Sequence, residues 1–322
     1  MKPEISICIS TWCRKDMLEK IIIKLENQTL TRDKYEIIVC DSYSNDGTNE
    51  LMEKLLIKYN NLKYINDHKN VLATKRNIGI DLAEGNIVVF MDDDVLPENN
   101  FIEAHLNAHA YKKNVVFCGN IKFPLEWVKN SNYYRYRDEY HKNLKGEELK
   151  FNRIVVMNMS FKKDEFLKKV GYVSEKFIGY GGEDTELGWR ISKSGLKIYF
   201  LEEALGWHYE KSPTIKQYGD KIYKSGKDGL KTLLELDKNI IKNTNMKYFI
   251  YKKSLKAKIY NILINKYFAM IIEKFLISTD SNKTLYIPIF YRYYLAYRLK
   301  QGIKDQSQKK ITIEDVKDGW DI

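Results

Sequence analysis

Three aspartates stand in a row, Asp92-Asp93-Asp94, at the close of the apolar segment NIVVFM (86–91). Side chains alternate along an extended segment, so Asp92 and Asp94 are expected on one face while Asp93 points elsewhere. Two carboxylates on one face repel unless a cation sits between them, and hard oxygen ligands suit Mg²⁺ or Mn²⁺. Such an ion would hold a diphosphate and take up charge as a phosphate leaves. The plain alternative is a solvated acidic turn before Pro97.

Other residues could join that chemistry. Asp41 closes YEIIVC (35–40) and opens DSYSNDGT, where a carboxylate can accept a nucleobase N–H such as that of uracil. It lies too early to cap the next helix, which Asn45 or Asp46 serves in the ordinary way. Arg76, in ATKRNIG, is a surface arginine or a planar donor to a nucleotide. His208 follows an aromatic in LGWHYEK, where a lone histidine is more often structural than a ligand. Glu183 and Asp184 follow the glycine-rich lead-in GYGG at what reads as a helix start. The helix dipole alone favours acids there by about 0.3–1 kcal/mol.

The elements that must position these residues are legible from pattern. ISICIST (5–11), YEIIVC (35–40), LKYIN (62–66) and NIVVFM (86–91) read as strands. Helical patterns cover 16–27, 46–59 and 71–85, the last ended by Gly85. Strands alternating with helices imply an α/β fold with a mainly parallel sheet covered on both faces. Ligands of such sheets sit at the carboxyl ends of the strands. Thr11-Trp12, Asp41-Ser42 and Asp92-Asp93-Asp94 fall at those ends. Downstream, 151–166 reads as a strand and a helix start, and further elements follow over 171–195 and 196–211.

Charge divides the chain. Residues 1–210 hold 31 basic and 32 acidic residues, and 211–322 hold 23 and 11, so the whole excess of +11 belongs to the C-terminal third. This predicts a catalytic domain over 1–215 and a basic helical region over 216–322. No secretory pattern opens the chain and no apolar run suffices to span a membrane. Cys8, Cys40 and Cys118 read as small core residues, Cys13 forms no metal-type pair, and a reducing, cytoplasmic compartment is expected.

In order, ISICISTWCRKDMLEK, IIVCDSYSNDGT, ATKRNIGIDLAEGNIVVFMDDDVLP, VMNMSFKKDEF and GYGGEDTELGWR resemble a family 2 glycosyltransferase over roughly residues 1–212. The later segments are similar to a region shared by β-1,4-galactosyltransferases and chondroitin-type polymerases. The resemblance implies a GT-A fold, Rossmann-like, and metal-dependent transfer from a nucleotide-diphosphate sugar, most often UDP-linked. It implies that Asp94 and His208 hold Mn²⁺ or Mg²⁺, with Asp92 at the metal or nearer the ribose. Asp41 would bind uracil, and Thr11, Arg76, Asp93, Asn158 and Gly182 would complete the nucleotide-sugar site. Asp184 would be the base that deprotonates an acceptor hydroxyl, and Glu183 would hold sugar hydroxyls. Gly179, Gly181 and Gly182 would leave room for sugar rings and let the loop close. In-line attack opposite UDP would invert the anomeric centre. Related retaining GalNAc transferases carry Asn where this chain has Asp184. Tyr180 stands where galactosyltransferases have tryptophan, so donor and acceptor identity do not carry over.

The expected product is a surface glycan such as capsule or lipopolysaccharide. Alternatives are a polysaccharide synthase subunit, or a catalytically silent nucleotide-sugar or glycan binder, against which intact Asp92, Asp94, Asp184 and His208 argue. The basic tail, with helical spacing over 247–277 and dense tyrosine over 284–301, suits an anionic membrane surface and a lipid-linked acceptor on the cytoplasmic side. Lys252, Lys253, Lys256 and Lys258 are the natural contacts. A helical appendage packed on the core with solvated lysines is the alternative. Nucleic acid is not an expected partner, since no module for it is legible.

Overall fold

The structure, a computed structural model, describes residues 2–139, 144, 146–210, 214–251 and 253–305. These fall into two compact units. The first comprises the described parts of Met1–Lys122, Asn143–Glu175 and Leu187–Tyr209, and the second those of Phe123–Lys142, Lys176–Glu186 and Glu210–Ile322. A single cut near residue 215 therefore misses two earlier stretches, 123–139 and 176–186, that belong with the C-terminal region. Neither stretch differs in charge enough to announce itself.

The first unit holds a sheet of eight strands among the described residues: β1 (Ile5–Ser10), β2 (Tyr35–Asp41), β3 (Leu62–Asn66), β4 (Ile87–Asp92), β5 (Val95–Pro97), β6 (Val115–Lys122), β7 (Asn158–Lys162) and β8 (Lys197–His208). Their order is β3-β2-β1-β4-β7-β6-β8-β5. The first four are parallel, as are β6 and β8, while β7 and β5 pair antiparallel with their neighbours.

Strict alternation explains why the strands are apolar on both faces. Ile5, Ile7, Ile9, Ile37, Val39, Val89 and Met91 pack on one side with α1 (Lys15–Leu25), α2 (Thr48–Lys58) and α4 (Phe101–Tyr111). Cys8, Ile38, Cys40, Val88 and Phe90 pack on the other with α3 (Leu72–Leu82), α7 (Lys163–Lys169) and the later part of α8 (Glu183–Lys193). Each such side chain, fully buried, contributes about 1.5–3 kcal/mol, and a slip of one residue would exchange the two faces. The helix over 72–82 stops before Gly85, so that glycine is not its cap. A β-carbon on Gly85 would stand 2.7 Å from the Ile5 carbonyl carbon, and glycine is there because β1 passes so closely.

The second unit is helical: α5 (Leu125–Asn130), α6 (Asn132–Asp138), α9 (Ile215–Lys224), a π-helical turn (Ser225–Gly229), α10 (Leu230–Leu236), α11 (Lys238–Lys242), α12 (Lys247–Ile250), α13 (Leu255–Leu263), α14 (Lys266–Ser278) and α15 (Pro288–Lys304). Its core is Phe123, Tyr133, Tyr134, Ile215, Leu276, Tyr291 and Tyr294. The tyrosines over 284–301 were expected at a membrane surface. Two of them, Tyr291 and Tyr294, are instead buried, because their spacing on α15 turns both inward. Distant segments are stitched together here: Asn132 Nδ2 donates to Thr279 O and Asn282 O at 2.9 and 2.8 Å. Among the described residues no helix is long and apolar enough to cross a membrane.

Candidate active site

Strand register builds the site. Ser10 pairs with Cys40 on one side and with Asp92 on the other, so the ends of β1, β2 and β4 form one rim. Thr11, Asp41 and the acidic triplet follow along it, which is where a parallel sheet receives ligands. On the other edge, Val95 pairs with His208, and Tyr209 N–H donates to Asp94 O at 2.7 Å. That pairing carries a residue from the end of β8 to the acidic turn.

The three aspartates do not alternate. Extended structure ends at Asp92, and the turn sends each carboxylate its own way. Asp92 takes a hydrogen bond from buried Arg76 at 2.9 Å. Arg76 is thus neither a surface residue nor remote from the rim. Asp93 accepts from the Thr11 hydroxyl at 2.8 Å and lies 3.4 Å from Arg14 Nε. Burial drives its carboxyl up to about 7, Arg14 opposing the shift and Asp94 and Asp92 adding to it. Asp94 Oδ2 lies 3.2 Å from Arg14 Nη1 and 3.4 Å from His208 Nε2. The expected pairing of Asp92 with Asp94 on one face is corrected: Asp93 and Asp94 share Arg14, and Asp92 has Arg76.

The donor set fits a divalent ion in part. Two ligands on adjacent corners of an octahedral ion with bonds near 2.0–2.1 Å stand about 3 Å apart, close to the 3.4 Å between Asp94 Oδ2 and His208 Nε2. Carboxylate oxygen suits Mn²⁺ and Mg²⁺, whereas imidazole nitrogen is more at home on later transition ions, so Asp94 is the better matched of the two. Among the described residues no group of three or more His, Cys, Asp or Glu is placed to hold a metal. The protein would thus supply a minority of the ligands, as is usual where phosphate oxygens and water complete the shell.

Asp41 is fully buried and already takes four hydrogen bonds. Ser42 N–H and the Ser44 hydroxyl donate to Oδ1 at 2.7 and 2.6 Å, and Ser44 N–H and the Tyr64 hydroxyl to Oδ2 at 3.1 and 2.9 Å. Its visible work is to fold the loop after β2. Asn158, expected at the nucleotide sugar, is likewise inside the sheet. Its Nδ2 donates to Ala204 O and Asn120 O at 2.9 and 3.2 Å. That fixes Oδ1 as acceptor from His105 Nε2 at 2.8 Å. His105 Nδ1 must then accept from Ser160 (2.8 Å), whose oxygen accepts from His109 Nε2 (3.0 Å). Asn158 therefore ties strands and orders a buried histidine pair, and it keeps no group to offer a ligand.

In the second unit, Glu183 and Asp184 open α8. Gly181 and Gly182 before them have φ of +85° and +102°. The expectation that these glycines leave room for sugars is corrected. A β-carbon on Gly181 would meet Ser225 Oγ at 2.5 Å, one on Gly182 would stand 3.0 Å from Phe177, and one on Gly229 would overlap the Gly181 carbonyl oxygen. The space is filled by the π-helical turn, and glycine serves left-handed backbone and close approach. Tyr180 is pushed well up by burial, then by Tyr218 and Glu183, and stays a hydrogen-bond donor. Partly buried Arg137 lies 3.9 Å from the Tyr218 ring and 3.1 Å from Glu210 Oε2.

Sequence reasoning missed Arg14 and Lys75. Lys75 is buried, with Nζ donating to Thr11 O and Asn70 Oδ1 at 2.8 and 3.1 Å. The available signal for Arg14 was electrostatic: three adjacent acids need a nearby cation, and Arg14 follows the end of β1 directly.

Comparison with known proteins agrees with this fold. The profile of Glycosyl transferase family 2 matches residues 6–168, and that described as the N-terminal domain of galactosyltransferase matches 137–212. The glycosyltransferase AglE of Haloferax volcanii is 25% identical over 64% of this chain and 67% of its own length. The chondroitin synthase of Escherichia coli is 27% identical over 64% of this chain but only 34% of its own length. The structure of the mannosyltransferase PcManGT from Pyrobaculum calidifontis, in complex with GDP-Man and Mn²⁺, superposes with a TM-score of 0.58. It covers 95% of this chain and 87% of that one at 16% identity, and so shows the shared GT-A fold.

Proposed function

The chain belongs to glycosyl transferase family 2 and is a glycosyltransferase, and from that premise we propose that it moves a hexose or N-acetylhexosamine from a UDP-sugar to a hydroxyl of a growing surface glycan, with inversion. The observation that supports this most is the meeting of Asp94 and His208 across β5 and β8, at the end of the sheet where donors bind. These two residues would hold Mn²⁺ or Mg²⁺, which when bound offsets the charge of the diphosphate as it leaves. Arg76 holds Asp92 in place toward the ribose. Thr11, Arg14 and Lys75 fix the acidic turn, and Asp41 shapes the loop on which a uracil would rest.

Asp184 accepts the proton of the attacking acceptor hydroxyl while Glu183 hydrogen-bonds sugar hydroxyls. A new bond forms between the acceptor oxygen and the anomeric carbon as the bond to the UDP oxygen breaks, and UDP leaves with that electron pair. The start of α8 supports the role by fixing Asp184 on regular structure. The basic excess of the C-terminal third supports work at an anionic membrane surface on the cytoplasmic side, on a lipid-linked acceptor.

The test is release of UDP or GDP from a panel of UDP-sugars and GDP-mannose, in EDTA and with Mn²⁺ restored. Metal-dependent release from at least one UDP-sugar, lost in Asp94→Ala, is the expected result. Release from GDP-mannose alone would overturn the donor assignment, and release indifferent to EDTA would overturn the metal.

A further inference from the structure

Two helices of the second unit carry their apolar residues on the outside. On α13, Ala257 and Ile264 are buried, and the opposite pole is Leu255, Ile259 and Ile262, at spacings of four and three residues. Leu255 and Ile262 are 74% and 73% exposed. On α14, Ala269 and Leu276 are buried, and Tyr267 and Ile271 stand opposite them, 81% and 64% exposed. Scattered exposed hydrophobics are ordinary, but an apolar stripe along the outer side of each helix marks an interaction surface.

The face is held firmly. Lys300 Nζ, buried on α15, donates to Asn261 O and Ile264 O at 2.6 and 2.7 Å at the end of α13. The Tyr293 hydroxyl donates to Leu263 O at 2.7 Å and accepts from Asn265 N–H at 3.0 Å. The corner between α13 and α14 is therefore anchored at several points, and its apolar side chains point outward because the anchored side is already packed.

Charge identifies the occupant. Residues 253–272 contain four lysines and no acidic residue. Lys256 and Lys258 are exposed on the flanks of the α13 stripe and not at its pole, Lys253 precedes α13 and Lys266 opens α14. Lysines beside an apolar strip can bury their stems and reach phosphate heads at the water boundary. A second copy of the same face would bring like charges together.

We propose that the face formed by α13 and α14 seats in the interface of an anionic lipid bilayer, its aliphatic pole among the acyl chains and its flanking lysines at the phosphates. The inference rests on the membrane-surface reading of the C-terminal third and is independent of the donor chemistry. Lys252 lies outside the described residues, and the proposal does not use it.

The experiment floats the full chain with vesicles of phosphatidylcholine alone or mixed with phosphatidylglycerol, at low and physiological salt. Wild type should bind the anionic vesicles, more strongly at low salt. Leu255→Ser/Ile259→Ser/Ile262→Ser should lower the bound fraction constant by roughly tenfold or more, with helix content and UDP-sugar turnover unchanged. Lys253→Glu/Lys256→Glu/Lys258→Glu should lose the salt-sensitive part. Should the serine variant fail to fold, Ile262→Trp supplies the readout through a blue shift of its emission on anionic vesicles. No flotation of wild type overturns both this proposal and the membrane reading beneath it. Flotation unaffected by the serine substitutions, or no shift from Ile262→Trp, overturns this face alone. A wild-type dimer that the serine variant turns into a monomer, with no change in vesicle binding, would assign the face to a second copy and overturn the proposal.

Discussion

The sheet unit and the helical unit solve packing in opposite ways. In the sheet, apolar side chains alternate between two cores and charges collect at the strand ends, where Arg14, Arg76 and Lys75 each find an oxygen. In the helical unit, tyrosines form the core, glycines let backbones touch, and aliphatic side chains stand outside. The difference teaches where each is vulnerable. The sheet depends on side-chain volume alternating along each strand, the helical unit on contacts between remote stretches that have no room to adjust.

The harshest way to break the comparison is to end the chain after residue 215. Phe123, Tyr133 and Tyr134 would lose Leu276, Tyr291 and Tyr294, and the shortened protein should aggregate. A soluble monomer with native-like circular dichroism would show that the two solutions are not interdependent at all. Next comes Asp184→Asn, which keeps shape and removes the proton acceptor. Turnover should fall about 10²–10⁴-fold while donor affinity, read by calorimetry, survives. Near-full turnover would remove the base from α8, and an NMR spectrum showing an α-linked product from an α-linked donor would sink inversion.

Gly229→Ala sharpens the contrast in stability. Its β-carbon would overlap the Gly181 carbonyl oxygen, and relief requires shifting backbone, so a loss of about 1–3 kcal/mol in urea unfolding is expected. By contrast, Ile38→Val in the sheet, a single methylene lost, should cost about 0.5–1.5 kcal/mol.

A pH dependence comes last, because opposing slopes offset one another in it. Burial lowers His105 to about 4 and His109 to about 3, His105 adding to the second shift. Between those values and the ordinary 6.5, the unfolded chain binds protons that the native state refuses. Stability is therefore full above 6.5 and declines as pH falls, by up to about 1.4 kcal/mol per pH unit for each histidine. Asp93, raised to about 7, gives a slope of opposite sign below that value, so the measured quantity is a difference. His109→Phe should lose less stability than wild type on acidification, by calorimetric Tm, and equal losses would contradict the assignment.

Much of the sheet was legible because β1, β2 and β4 repeat one signal: β-branched residues that end abruptly in a polar cluster. The antiparallel entry of β7 and β5 was not, since a strand's direction depends on where the chain returns and leaves no mark in its own composition. Cys8, Cys40 and Cys118 were rightly read as core. Asp92, Asp93 and Asp94 were found at once, but their directions were not, because alternation stops where the strand does. Gly181 and Gly182 announced an unusual backbone, yet only the fold shows that Ser225 and Gly229 fill the space beside them. The tyrosines over 284–301 look alike in sequence, and what separates Tyr291 and Tyr294 from the rest is their turn inward, Tyr291 stacking on Tyr136 of α6 and Tyr294 packing beside Gly219 of α9.

The hydrogen bonds from Asn132 to Thr279 and Asn282 span 147 and 150 positions. On a ribosome adding about 5–20 residues each second, roughly 8–30 s pass between the emergence of α6 and that of its partners. Throughout that interval the nascent chain carries Phe123, Tyr133 and Tyr134 with no cover from α15. Expression yield should accordingly respond to chaperone supply and to translation speed over the intervening codons far more than the finished protein's stability would suggest.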